Sequence, residues 1–70
     1  MEDNRIYILG RTIYKRRREM GFSQNVLAEK LDISREHLAK IETAKRTPSL
    51  ELLIKISDFL QIKLKDLINF

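Results

Sequence analysis

Wound on a helix at about 100° per residue, the segment ISREHLAKIE and the Thr after it divide into two unlike sides. Leu38 and Ile41 fall on one side, and Arg35, Glu36, Ala39, Lys40 and Thr43 on the other. The polar side carries guanidinium and ammonium donors next to a carboxylate acceptor, with a methyl between them. Such a face can meet an array of hydrogen-bonding groups on a partner. It can also pair with itself, because Glu36 and Lys40 stand four apart, and such a surface pair contributes about 0.2–0.5 kcal/mol. Two further basic groupings are Lys15-Arg16-Arg17-Arg18 and Lys45-Arg46. The first, wrapped on a helix, points in four directions and makes no single patch. The whole chain holds 14 Lys and Arg against 10 Asp and Glu, net +4, with a pI of about 9.7. That excess suits a polyanionic partner.

Other chemistries are poorly supplied. There is no Cys and one His, so disulfides are excluded and neither a metal site nor a metal cofactor is expected. No Gly-rich phosphate loop, thiol nucleophile or acid–base pair is present, so no catalytic residue is assigned and the expected class is not an enzyme. His37 sits at the edge of the apolar stripe, where packing or a backbone contact is expected of it. No apolar run approaches the length of a membrane span. The opening MEDNR lacks the basic-then-apolar order of a signal peptide, so the expected location is cytoplasmic.

These side chains must be carried by helices, since nothing in the chain alternates as a strand would. Seventy residues make one small domain, of a size that buries only about 60% of its unfolded surface. Ile6, Leu9, Ile13 and Met20 define the inner stripe of a first helix, which Gly21 stops. Phe22, Ser23 and Leu27 then supply a staple, an N-cap and a staple partner for a second helix, with Leu27, Ala28 and Leu31 inward. Ile33, Ser34 and Leu38 repeat the device for the third. TAKRTP is a polar loop. Ser49 caps a fourth helix, with Leu50, Leu53, Ile54, Ser57 and Leu60 expected inward. LKDLINF forms a short fifth. The result is an all-α, compact five-helix bundle. Between Leu31 and Ser34 only a tight turn fits, so the second and third helices must cross steeply, with the small Ala28 at the crossing.

The stretch SQNVLAEKLDISREHLAKIETAKRTPSLELLIKISDFLQI resembles the phage-repressor family of helix-turn-helix proteins, the Cro-like and lambda-repressor-like group. The resemblance rests on Ser23-Gln24, Leu27-Ala28, Leu31, Ile33-Ser34, Leu38, Ile41-Glu42, Arg46 and Pro48-Ser49-Leu50. Ile13 and Arg17 match the end of that family's first helix, and the match covers about residues 9 to 68. The chain departs from the pattern where Asp32, Ala44 and Gln61 replace common glycines. It departs again at Lys63, where a capping Ser is usual.

The resemblance implies one DNA-binding domain over residues 1–70, its helix-turn-helix at about 23–42. The third helix lies in the major groove, and Arg35, Glu36, Ala39 and Lys40 read base edges. Arg and Lys suit the guanine acceptors, Glu the cytosine amine, and Ala a thymine methyl. Gln24, Arg17, Thr43, Lys45 and Arg46 are the expected phosphate contacts. The implied function is a sequence-specific regulator of transcription, a small repressor or activator of bacterial, phage or plasmid origin. It would need no cofactor, small-molecule ligand or membrane. An antitoxin or a protein–protein module on the same fold are the alternatives.

Two expectations come from burial. Arg17 falls on the inward stripe of the first helix and Glu42 at the buried edge of the third. Each charge is costly there unless the two meet, so an ion pair is expected. Phe59, Ile62, Leu64, Leu67, Ile68 and Phe70 are more apolar groups than a short terminal helix can bury, which points to a homodimer interface. A two-fold axis would set the reading helices about 34 Å apart, on an inverted repeat. Tyr7 and Tyr14, seven apart on the first helix, either cover the last helix or join an interface.

Overall fold

The computed structural model describes residues 4–68. It contains α1 (Arg5–Glu19), α2 (Gln24–Leu31), α3 (Arg35–Glu42), α4 (Leu50–Leu60) and α5 (Leu64–Leu67), with no strand among the described residues. Three helix starts are set by local chemistry. The hydroxyls of Ser23, Ser34 and Ser49 accept the N–H groups of Val26, His37 and Leu52 at 3.1, 3.0 and 3.1 Å. Lys63, ahead of α5, makes no such bond, and α5 is a single turn.

The ends of α1 to α4 follow one rule. Gly21, Asp32, Ala44 and Gln61 all take the left-handed conformation, at φ of 79°, 59°, 63° and 52°. After each, the next N–H reaches back to a carbonyl of the helix: Phe22 to Arg17, Ile33 to Ala28, Lys45 to Lys40 and Ile62 to Ser57. This closure satisfies carbonyls that a helix end leaves open. Three of the four positions lack Gly, yet each holds the left-handed conformation that glycine adopts most readily. Ala44 carries the Cβ penalty most plainly, having no polar side chain to bond locally.

The core is built from all five helices: Leu9 and Ile13 of α1, Leu27, Ala28 and Leu31 of α2, Leu38 and Ile41 of α3, Leu60 of α4 and Leu67 of α5. α4 corrects one expectation. Leu53 and Leu60 are buried as foreseen, but Leu50 and Ile54 are exposed, at 64% and 45%, and Leu52 and Ile56 take their places. α4 is apolar on nearly every side, so periodicity alone does not choose its rotation. Ser57 escapes deep burial and donates its hydroxyl to the Ile54 carbonyl at 2.8 Å.

α1 and α3 touch at backbone level. A Cβ on Gly10 would lie 2.6 Å from the Ile41 carbonyl oxygen and 2.8 Å from that of Glu42. Gly10, which the stripe pattern does not single out, is what allows α1 to seat against the end of α3.

Candidate nucleic-acid interface

The basic run of α1 separates into distinct roles once the helix is docked. Arg16 donates to the Leu60 and Gln61 carbonyls at 2.8 and 3.3 Å, closing the end of α4. The sequence reading missed this role, because the acceptors lie more than forty residues away. Arg17 turns inward and is 5% exposed. Its Nε and Nη2 donate to the two Glu42 carboxylate oxygens at 2.7 and 3.1 Å, and its Nη1 to the Phe22 carbonyl at 2.8 Å. The ion pair foreseen from the two stripes is therefore present. All three nitrogens of Arg17 have protein acceptors, so the residue ties α1 to α3 and to the Phe22 carbonyl.

Gln24 extends the junction outward. Its amide nitrogen donates to Glu42 Oε1 at 3.0 Å, and its amide oxygen accepts from Arg35 Nη1 at 3.2 Å. A primary amide has two N–H groups, so one remains to meet a phosphate. The buried ion pair is thus wired through a single amide to the first residue of α3. No buried side-chain polar atom among the described residues lacks a partner.

The outer face of α3 is as open as this junction is closed. Arg35 and Glu36 are exposed, and the Glu36 carboxylate lies 3.9 Å from Lys40 Nζ with 81% of its side chain accessible. Ala39 is half-buried on the same side. Thr43 donates its hydroxyl back to the Ala39 carbonyl at 2.8 Å, so only its oxygen lone pairs and methyl face outward. Lys45 and Arg46 stand exposed in the following loop. Between α1 and α3 an open concavity of about 600 Å³ is lined by Arg17, Arg18, Ser23, Gln24, Asn25 and Arg35. No carboxylate lines it.

The remaining expectations sort as follows. His37 is half-buried beside Asp32, Glu51 and Lys55, away from the exposed face of α3. Tyr14 is half-buried with arginine side chains of α1 over its ring, while Tyr7 is exposed. Of the residues expected at a dimer interface, Phe59 and Ile68 are exposed and Ile62 and Leu64 are partly buried against the core. Leu67 is 1% exposed. It belongs to the core of the single chain, because α5 lies down with that side inward. Phe70 lies outside the described residues.

A capped helix, a three-residue turn closed by a left-handed Asp32, and a second capped helix with a charged outer face define a helix-turn-helix protein. The family model described as Helix-turn-helix matches residues 13–67, and the chain belongs to that family. It is 35% identical over 63 residues to the HTH-type transcriptional regulator SinR of Bacillus licheniformis, covering 89% of this chain and 57% of that protein. It is 36% identical over 63 residues to the HTH-type transcriptional regulator SlrR of Bacillus subtilis, covering 89% of this chain and 41% of the relative. The chain therefore spans about half the length of these two relatives. Among solved structures, the restriction-modification controller protein C.AhdI from Aeromonas hydrophila superposes with a TM-score of 0.83 at 26% identity, over 89% of this chain and 94% of that one. The clp gene regulator ClgR from C. glutamicum gives 0.87 at 25% identity, over 97% and 88%. No helix among the described residues is long and apolar enough to cross a membrane.

Proposed function

We propose that this chain is a sequence-specific, double-stranded DNA-binding regulator of transcription, acting from the cytoplasm as a homodimer on an inverted repeat. The observation that carries the reading is the asymmetry of α3. Its inner edge is tied to α1 by the Arg17–Glu42 pair, while Arg35, Glu36 and Lys40 on its outer side make only a few weak or labile contacts. A helix fixed on one side and open on the other can enter a major groove without rearranging. Arg35 then meets guanine O6 and N7, with Lys40 and Glu36 reading neighbouring positions. Gln24, through its remaining amide hydrogen, and Lys45 and Arg46, from the loop, bind phosphates that set the register. The relatives are regulators by name, and the superposed structures are a controller and a gene regulator. That company supports the same role here.

The dimer reading draws on Phe59 and Ile68, exposed at 40% and 38%, with Ile62 and Leu64 beside them. Selection from a random duplex library, with stoichiometry measured on the winning sequence, tests both parts. The expected result is an inverted repeat bound by two chains. Recovery of no preferred sequence would remove the regulator reading, and a single half-site bound by one chain would remove the dimer.

A further inference from the structure

Positive charge on α1 is gathered in a way that the reading helix does not explain. Three guanidinium groups converge on the ring of Tyr14: Arg11 at 4.8 Å from its centre, Arg17 at 5.2 Å and Arg18 at 5.8 Å. Glu42 neutralises Arg17. Arg11 and Arg18 have no carboxylate at ion-pair distance among the described residues, and Glu19 of α1 faces Arg16 instead. The electron-rich ring draws both guanidinium groups towards it despite their like charge. An anion at this cluster would offset the charge that no carboxylate among the described residues meets.

The hydrogen bonding at Tyr14 fits the same ligand. The hydroxyl accepts from Arg18 Nη1 at 3.3 Å. Its own proton remains available for an acceptor oxygen. Arg18 also lines the concavity that Gln24 and Arg35 share. Arg18 of the cluster and the first residue of α3 therefore open on one concavity, where a strand passing Arg35 also passes Arg18. This continuity favours a nucleic-acid phosphate over a free anion.

We propose that Arg11, Tyr14 and Arg18 form a phosphate clamp on the strand that flanks the bases read by α3. Arg11 and Arg18 supply the charge and Tyr14 holds both in place while donating one hydrogen bond. The proposal rests on the duplex binding proposed above, and its test separates the two. Binding of the wild type and of Arg11→Ala, Arg18→Ala, Tyr14→Phe and Arg35→Ala is measured across a salt series. The probes are the selected duplex with long flanks, the same duplex with trimmed flanks, and a scrambled duplex. Arg11→Ala and Arg18→Ala should each reduce the magnitude of the log–log salt slope by roughly 0.9. Each should weaken the selected and scrambled duplexes by a similar factor. Trimming the flanks should weaken the wild type and have little effect on these two variants. Tyr14→Phe keeps the ring and should lose affinity with no change of slope. Both arginines are exposed, so melting should be unaltered. If Arg35→Ala abolishes the sequence preference while the slope and flank dependence of Arg11→Ala and Arg18→Ala match the wild type, the clamp is wrong and the reading stands. If the wild type binds no duplex, both fall.

Discussion

Among the described residues two ion pairs involve α3, and they share little beyond joining a basic side chain to a glutamate. Arg17 and Glu42 meet at 2.7 Å with side-chain exposures of 6% and 2%. Lys40 and Glu36 stand 3.9 Å apart with exposures of 49% and 81%. The buried pair is bidentate and has further bonds to Gln24 and to the Phe22 carbonyl, so its charges have partners on every side. The exposed pair is a single long contact in high dielectric, where the attraction is small and screened by salt. The difference shows how one short helix can serve two purposes. The first pair fixes where α3 sits, and the second leaves its charges available to something outside the protein.

The comparison breaks most visibly at the buried pair. Glu42→Ala leaves Arg17 and the Gln24 amide without their acceptor and should cost about 3–5 kcal/mol of stability, read as a lower midpoint of urea unfolding. An unchanged midpoint would show that the pair positions nothing. Arg35→Ala acts on the other region. It should lower affinity for the selected duplex by about 1–3 kcal/mol per half-site and much less for scrambled DNA, with the urea midpoint retained. Equal losses on both duplexes would mean that α3 does not read sequence.

Gln24 spans the two regions, and its truncation sharpens the contrast. Gln24→Ala removes one bond to Glu42 and one to Arg35. It should cost about 1 kcal/mol of stability and also weaken the preference at the base that Arg35 reads. Loss of stability with full base preference would confine Gln24 to the buried side. The smallest change is expected from Glu36→Gln. Unfolding should shift by no more than about 0.5 kcal/mol. Binding to scrambled duplexes should tighten, because a carboxylate near phosphates is unfavourable, and the preferred sequence should relax. Unaltered binding on every duplex would make Glu36 a bystander.

What could be read directly was whatever the chain settles over a few residues. Ser23, Ser34 and Ser49 each cap the N–H three residues on, so three helix starts were visible in the letters alone. The stop at Gly21 and the tight turn at Asp32 are of the same kind, since the closing bond spans a single turn of helix. The exposed face of α3 followed from spacing, and the Arg17–Glu42 pair from the cost of leaving two charges on buried stripes unpaired.

Tertiary structure decided whatever depends on how one element is rotated against another. α4 offers apolar residues on several sides, and only docking chose Leu52 and Ile56 over Leu50 and Ile54. Leu67 looked available for an interface until α5 folded it into the core. Gly10 matters because the Ile41 carbonyl lies against it. The four basic residues from Lys15 to Arg18 are near-equivalent as letters. Packing sends Arg16 to the end of α4, Arg17 to Glu42, and Arg18 to Tyr14 and the open concavity. Short-range hydrogen bonds are written into neighbouring residues, whereas a side chain's distant partner exists only after the helices have found their mutual register.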